Sequence, residues 1–237
     1  SWPHKEESWP GKIAAIYPAY SQFVKVLAQS EKVRINVSNE QVKAFAIQHL
    51  ERAGVTLGQV EFFLHPTNDA WCRDHGPAFL VNAKGKYKKA IVDWGYNAWG
   101  GKYPPFDFDD VIPTLIGKSL SLPVFYPGIV MEGGSVEFNG AGTVLTSTCC
   151  LLNENRNPYL NQQQIENYLA EYYGIDQVLW VDEGIVGDDT DGHIDDTIRF
   201  INEDTVLSVV ETKVNDENYH SLQKNLKSLS KMRLLSG

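Results

Sequence analysis

The sequence predicts a mixed α/β protein, and three observations lead to that fold class. Helical and extended segments are interleaved along the chain, which favours an α/β or α+β fold. Three segments share one hairpin layout, in which an acidic residue precedes an apolar strand, a turn rich in asparagine or glycine, and a second apolar strand. The 237 residues, 43% hydrophobic and 22% charged, are enough to bury the large core that such a fold requires.

Four segments carry apolar residues at helical spacing and predict amphipathic helices. They are about Ile13–Gln29, Ser38–Gly54, Asn161–Gly174 and Asp216–Leu229. The second should begin at Ser38, because Gln41 three residues later completes a capping-box pattern. It should end at Gly54 in a left-handed cap, and the third should end at Gly174.

Nine short apolar runs between these helices predict strands. They are Val33–Val37, Val60–Leu64, Ala78–Val81, Ala90–Val92, Ser135–Phe138, Thr143–Thr146, Val178–Val181, Thr197–Ile201 and Val206–Val210. The three similar hairpins start at Asp74, Glu132 and Asp195, at intervals of roughly 60 residues, which suits a radial repeat of ββαβ-like units. Chance similarity among short hairpins can give the same pattern. In a radial repeat the three acids would converge on one centre.

The net charge of −9 and the pI near 5.1 argue against nucleic acid or an anionic membrane surface as partner. The three cysteines have neither framework nor CxxC spacing, so a disulfide-built secreted domain is disfavoured and a reducing cytoplasm is expected. No apolar run is long enough to span a membrane. The start has neither a signal pattern nor an initiator Met, so we expect the chain to begin inside a longer protein.

The densest polar cluster is the run Gly187–Asp196, GDDTDGHIDD. One interpretation is a metal site, because Asp and His bind divalent ions, although the run lacks the ligand rhythm of an EF-hand. A second places His193 and Asp195 at the start of a strand, where alternate side chains share one face and can form an acid/base pair. A third is a solvated turn. The cluster by itself leaves all three open.

A second cluster is NDAWCRDHGP, Asn68–Pro77. A planar cation such as a guanidinium can stack on Trp71 and pair with Asp74 through two hydrogen bonds. Alternatively, Arg73 and one Asp form a structural ion pair and Trp71 belongs to the core. The three cysteines stand in contexts that favour burial over reactivity, so none is expected to be a nucleophile.

Two glycine-containing segments remain ambiguous. Gly133 and Gly134 follow Glu132, and they either let the backbone approach a ligand closely or form a bulge. The aromatic segment Asp93–Tyr103 either lines a pocket or caps an end of the fold. Neither GxGxxG nor GxxxxGK[ST] occurs, which disfavours phosphate binding.

Four long segments carry a family resemblance. They are TNDAWCRDHGP (Thr67–Pro77), VDWGYNAWGGKYPPFDFDD (Val92–Asp110), MEGGSVEFNGAGTVLTSTCCLLNENRNP (Met131–Pro158) and DGHIDDTIRF (Asp191–Phe200). In this order they resemble the agmatine deiminase family, which includes the bacterial peptidyl-arginine deiminases. The N-terminal SWPHKEESWPGK is similar to that family as well.

The resemblance implies a pentein-type α/β propeller, a fan of five ββαβ units around a pseudo-fivefold axis. At roughly 60 residues per unit, this chain would hold about four of them. We therefore expect a single deiminase domain over residues 1–237 that is incomplete at both ends.

The resemblance also implies the roles of the site residues. Asp74 and Asp195 would bind the two sides of a substrate guanidinium, and Trp71 would line that pocket. His193 would transfer protons, with Glu132 as a supporting acid beside it, and no metal or other cofactor would be required. The family's nucleophilic cysteine lies in a glycine-rich motif near its C-terminus, whereas no cysteine follows Cys150 here.

These implications predict a C–N hydrolase that acts on a small guanidino substrate, with agmatine ahead of peptidyl or free arginine. Two other functions stay open: a guanidinium-binding remnant without turnover, and a metal-dependent hydrolase that uses the Asp188–Asp196 run. A chain that ended at Gly237 would leave an apolar edge exposed and prone to self-association, so a homo-oligomer is also left open.

Overall fold

A computed structural model of the chain describes residues 1–235, and helices and strands alternate along them. The helices of these residues are α1 (Ile13–Leu27), α2 (Glu40–Arg52), α3 (Cys72–His75), α4 (Ala98–Gly101), α5 (Asp107–Asp110), α6 (Ile112–Leu120), α7 (Thr148–Leu151), α8 (Gln162–Tyr173) and α9 (Tyr219–Leu229). The strands are β1 (Val33–Asn36), β2 (Val60–Phe63), β3 (Ala78–Val81), β4 (Lys89–Val92), β5 (Val124–Phe125), β6 (Val136–Phe138), β7 (Thr143–Ser147), β8 (Gln177–Val181), β9 (Ile198–Phe200) and β10 (Val206–Ser208). Every helix of this part is too short or too polar to cross a bilayer.

The strands form four small sheets that repeat one pattern. In two of them an antiparallel hairpin is followed by a helix and then by a third strand, which joins the sheet parallel to the second strand of the hairpin. One of these sheets contains the hairpin β3–β4 and, after α6, β5. The other contains the hairpin β6–β7 and, after α8, β8. The first sheet has the βαβ part alone, with β1 parallel to β2 across α2. The last has the hairpin β9–β10, followed by α9. The predicted ββαβ repeat is therefore present.

Both ends of α8 agree with the predictions, whereas the cap of α2 differs and α9 begins at Tyr219 and not near Asp216. Asn161 and Gln164 form a reciprocal capping box at the start of α8, and Gly174 ends the helix in the left-handed region, with φ of 65°. The prediction of Ser38 as the cap of α2 was wrong. The cap is Asn39, whose side chain accepts hydrogen bonds from the backbone N–H groups of Gln41 and Val42.

Neither α6 nor β5 was predicted from the sequence. Pro113 stands in the first turn of α6, where its missing N–H costs nothing, and Gly117 lies near the end of the helix. A Cβ at Gly117 would collide with the side chain of Val124 in β5, so this glycine allows close packing of helix on strand. Both residues are breaker signals in a sequence, and here both are compatible with a helix.

The segment around His193 is anchored in the hydrophobic core. Ile194 and Ile198 are buried with Leu145 of β7 and Val181 of β8 in one apolar cluster. The C-terminal hairpin is less covered, and apolar side chains such as Leu207 remain exposed there, as expected for a sheet edge.

Candidate active site

Three single helical turns carry the site residues, one before each hairpin. Asp74 lies in α3, Glu132 directly precedes the 3-10 turn Gly133–Ser135, and Asp195 lies in the 3-10 turn Ile194–Asp196. The prediction that His193 and Asp195 share a strand face was wrong, because His193 caps this turn. The change of backbone direction at each turn allows its side chains to leave the sheet and point toward the neighbouring repeats.

The acids from the three repeats converge around His193, as the radial repeat predicted. The imidazole Nδ1 lies 3.7 Å from Oδ1 of Asp74 and 4.0 Å from Oδ1 of Asp195. Glu132, His193 and Cys150 each offer an atom within 4.8 Å of the other two. Residues about 60 positions apart are thereby brought to one centre.

Gly133 and Gly134 permit this convergence. A Cβ at Gly134 would collide with the imidazole of His193 and would lie 2.8 Å from Oδ1 of Asp74. A Cβ at Gly133 would collide with the backbone carbonyl of Arg73. The two glycines therefore let the turn after Glu132 pack directly on the other two turns.

A cavity of about 500 Å³ opens beside these groups. Its lining is Lys5, Glu7, Ser8, Asp69, Trp71, Arg73, Asp74, Trp99, Tyr103, Asp189, Thr190, His193, Asp195 and Asp196. Acidic side chains outnumber basic ones, which favours a cationic ligand. The Trp71 side chain is 38% exposed, stacks on Trp9 with 5.5 Å between ring centroids, and meets the edge of Trp99. It lines the cavity and does not belong to the core.

Asp74 is a buried carboxylate with neutral donors. Its Oδ1 accepts a hydrogen bond of 2.8 Å from the backbone N–H of Gly134, and its Oδ2 accepts one of 3.2 Å from Nε1 of Trp99. Burial raises the pKa of Asp74 to about 7, although both donors act in the opposite direction. A cation bound in the cavity would therefore stabilise the ionised form of Asp74.

The aromatic segment Asp93–Tyr103 lines the cavity, the first of its two predicted uses. Ala98 and Trp99 have left-handed backbone conformations, with φ of 51° and 56°, which are costly for residues with side chains. This conformation places the Trp99 indole against Asp74. Lys102 donates to the carboxylate of Asp191, so the segment is also fastened to the loop that carries His193.

His193 is held as a neutral imidazole. It is 3% exposed, and burial lowers its pKa to about 4. Its Nε2 is buried without a hydrogen-bond partner among residues 1–235. A neutral imidazole beside two carboxylates can accept a proton and return it, which is the chemistry of a general acid/base.

Arg156 is a site residue that was not predicted from the sequence. Its Nε lies 2.6 Å from Oε1 of Glu132, and its other nitrogens donate to the carboxylate of Asp191 and the carbonyl of Thr190. Arg156 thus ties Glu132 to the loop that carries His193. The only sequence signal was its place inside the segment NENRNP, which resembles the family.

Within the Asp188–Asp196 run, two carboxylates stabilise the loop and are already occupied by partners from the protein. Asp188 accepts hydrogen bonds from the backbone N–H groups of Thr190 and Gly192, while Asp191 is bound by Lys102 and Arg156. A cation held by Glu132, Cys150 and His193 would compete with the guanidinium of Arg156 for Glu132. The arrangement thus favours the acid/base interpretation over the metal one.

The described cysteines do not line the cavity. Cys150 is buried, and burial raises the pKa of its thiol, as it does for the half-buried Cys149. Cys72 is exposed, so the expectation that it belongs to the core was wrong. Within residues 1–235 the site thus holds acids, an imidazole and aromatic walls.

The fold and the site define a mixed α/β protein with an acidic, tryptophan-lined cavity where its repeats meet. The sequence profile of the Porphyromonas-type peptidyl-arginine deiminase family matches residues 1–237. The chain belongs to this family of agmatine deiminases and Porphyromonas-type peptidyl-arginine deiminases.

Individual relatives agree with this assignment. The chain is 35% identical to the agmatine deiminase of Ectopseudomonas mendocina over 241 residues, which cover 100% of the chain and 63% of that protein. It superposes on the agmatine deiminase of Enterococcus faecalis with a TM-score of 0.88 and 33% identity, covering 100% of the chain and 64% of that structure. A Cys-to-Ser variant of the C. jejuni agmatine deiminase with substrate bound gives a TM-score of 0.85 and 35% identity, covering 97% and 66%.

The chain spans about 64% of the length of the first curated relatives that it matches. Over that length, its fold matches that of agmatine deiminase structures.

Proposed function

We propose that the complete protein hydrolyses a C–N bond of a guanidino substrate, with agmatine as the leading candidate and peptidyl or free arginine behind it. One observation carries the proposal: Asp74 and Asp195 flank a neutral His193 at an acidic cavity lined by Trp71. Two carboxylates can hold a planar guanidinium from two sides, and the indole can cover its face.

Binding would fix the guanidinium in one plane. Asp74 and Asp195 would accept hydrogen bonds from its N–H groups, so its central carbon would be open to attack along the perpendicular. Because burial raises the pKa of Asp74 to about 7, the arriving cation would stabilise the ionised carboxylate and displace its proton.

The chemistry that fits this arrangement is a two-step substitution with a cysteine thiolate. His193 accepts the thiol proton, the thiolate adds to the guanidinium carbon, and His193 returns the proton to the amino group that leaves as ammonia. His193 then removes a proton from water, whose oxygen adds to the amidino thioether. The adduct expels the thiolate as its C–O bond becomes a carbonyl and its hydroxyl proton passes to ammonia or solvent. His193 returns its proton to the thiolate, and agmatine has become N-carbamoylputrescine. Because the described cysteines lie away from the cavity, the thiolate would come from a part of the complete protein outside this chain.

Glu132 would support His193 during these proton transfers. It is fully buried, lies next to the imidazole and is paired with Arg156. An anion there stabilises the imidazolium that forms when His193 accepts a proton.

We further propose that the complete protein is a pentein-type propeller of five ββαβ units. The two complete ββαβ units, the βαβ unit and the final hairpin with α9 are consistent with that architecture. The single deiminase domain would then extend beyond residues 1–237.

The test is ammonia release from agmatine by the complete protein, with peptidyl arginine and free arginine as competing substrates. His193→Asn and Asp74→Asn should each lower kcat/KM by at least about 100-fold, while Gly58→Ala, at which a Cβ meets nothing within 4 Å, should match the wild type. Agmatine binding without ammonia release would instead identify a guanidinium-binding remnant. Activity that is lost with EDTA and restored by a divalent ion would identify a metal-dependent hydrolase.

A further inference from the structure

Arg73 connects all three turns of the candidate site. It lies in α3, and its Nε is 3.5 Å from Oδ2 of Asp195 in the third turn. Its Nη2 donates a hydrogen bond of 3.2 Å to the carbonyl of Val136, directly after the second turn, and lies 3.9 Å from Oε2 of Glu137. One side chain thus spans the three repeats at the point where they meet.

The contact with Asp195 is directional. Oδ2 of Asp195 faces Arg73, whereas Oδ1 faces His193 at 4.0 Å. The carboxylate is thereby held with one oxygen toward the fixed cation and the other toward the imidazole. We infer that Arg73 is a positioning residue that orients the Asp195 carboxylate for the substrate guanidinium, an inference that rests on the proposed function.

Arg73 also lowers the pKa of the Asp195 carboxyl. Burial raises the pKa of Asp195, and the nearby cations of Arg73 and Arg199 act against that rise. The charged or titratable groups that face it are Arg73 and Asp74 from α3, Glu137 from β6, Arg199 from β9, and His193 and Asp196 from its own turn. Arg73 is the cation in direct contact with Asp195, so its loss would favour the protonated carboxyl, which binds a guanidinium poorly.

Arg199 provides a matched control. Its side chain is 51% exposed and that of Arg73 is 53% exposed, and both approach the same oxygen of Glu137. Arg199 Nε lies 2.9 Å from that oxygen, whereas Arg73 Nη2 is 3.9 Å away. Arg199 therefore pairs with Glu137, whereas Arg73 pairs with Asp195. The two variants separate the loss of a specific contact from the loss of a positive charge.

The experiment compares R73Q, R73K and R199Q in the complete protein. The measurements are kcat and KM for ammonia release from agmatine between pH 5.5 and 9, the inhibition constant of methylguanidine, and the Tm of each variant. We expect R73Q to lower kcat/KM about tenfold at pH 7, mainly through KM. Its acid-side fall in kcat/KM, which in the wild type reflects Asp74, should also begin at higher pH, because removal of the nearest cation favours protonation of Asp195 as well.

R73K separates the two effects of Arg73. It keeps the charge but not the planar fork, so it should restore the acid-side profile and only part of the affinity. R199Q should keep kcat/KM at pH 7 within about twofold of the wild type and should change the acid-side profile less than R73Q does, because Arg199 is not in direct contact with Asp195. The inference is overturned if R73Q keeps the wild-type KM and pH profile, if it binds methylguanidine more tightly, or if R199Q shows the same losses. A wild-type protein inactive on every guanidino substrate would overturn the proposed function instead.

Discussion

The Nε of Arg156 lies 2.6 Å from Oε1 of Glu132, and both side chains are completely buried. Ion pairs of this kind are costly to break, because the remaining charge is left without a partner in a medium of low polarity. The pair joins Met131–Pro158, the third of the four family-like segments, to the loop that carries His193.

Arg156→Met should therefore destabilise the complete protein by about 3–5 kcal/mol, measured by urea unfolding at pH 7. The double variant Arg156→Met with Glu132→Gln should lose clearly less, because it removes the uncompensated carboxylate as well. Equal losses in the single and double variants would show that the ion pair is not the source of the cost.

Binding of methylguanidine should strengthen as the pH rises through about 7. Burial raises the pKa of Asp74 to about 7, and only its ionised form pairs with a cation. The inhibition constant against agmatine should therefore fall about tenfold between pH 6 and pH 8. Asp74→Asn should bind weakly at every pH, with this dependence removed. A wild-type constant that does not change over this range would contradict the assignment of Asp74.

Gly134→Ala should lower the rate of ammonia release at least about 100-fold, because the new methyl group would collide with the imidazole of His193 and displace it from Asp74. Gly58→Ala is the matched control, since a Cβ there meets nothing within 4 Å. The far-ultraviolet circular dichroism of both variants should match the wild type. Full activity in Gly134→Ala would mean that this close approach is not needed.

Two buried histidines should lower the free energy of unfolding as the pH falls from 7 to 5, while the buried carboxyls of Asp74 and Asp109, whose pKa values burial raises to about 7 and about 6, act in the opposite direction. Burial lowers the pKa of His75 to about 3 and that of His193 to about 4, below the ordinary value of 6.5. Because both pKa values are lower in the folded protein than in the unfolded chain, protonation below pH 6.5 favours the unfolded chain. The stability that the neutral histidines allow is therefore present above pH 6.5 and is lost as the pH falls toward their folded pKa values. At pH 5 each contributes a loss of roughly 2 kcal/mol relative to pH 7.

His75→Phe tests this contribution, because phenylalanine can occupy the same site beside Tyr96 without titrating. Between pH 7 and pH 5 the variant's free energy of unfolding should rise by about 2 kcal/mol relative to that of the wild type, measured by urea unfolding. The exposed His220 is the control, and His220→Phe should leave the pH dependence unchanged. An identical pH dependence in His75→Phe and the wild type would contradict a buried neutral His75.

Local sequence signals predicted most of the secondary structure. Asn161 and Gly174 bound α8 because capping is a property of a few neighbouring residues. The three hairpins were found for the same reason, since alternation and turn residues are local. The convergence of Asp74, Glu132 and Asp195 followed from the repeat, which is a longer-range pattern that the sequence still displays, whereas the place of His193 beside them was implied by the family resemblance.

The contacts between distant loops were not predictable from the chain alone. Asn68 and Asp109 lock two loops together, because each side chain accepts hydrogen bonds from the backbone of the other segment. The hydroxyl of Ser8 donates a hydrogen bond to the carboxylate of Asp69 and brings the N-terminal segment to the cavity. Such pairs lack a characteristic spacing, because they depend on which loops the fold places side by side.

The three helical turns also determine when the site can form during folding. The hydrogen bond from Gly134 to Asp74 joins residues 60 positions apart, and His193 arrives from a third repeat. Contacts of such high sequence separation carry a large loop-closure cost and form after local helices and hairpins. During refolding, helical circular dichroism should therefore recover well before the capacity to bind methylguanidine, so ligand binding reports the docking of the repeats on one another.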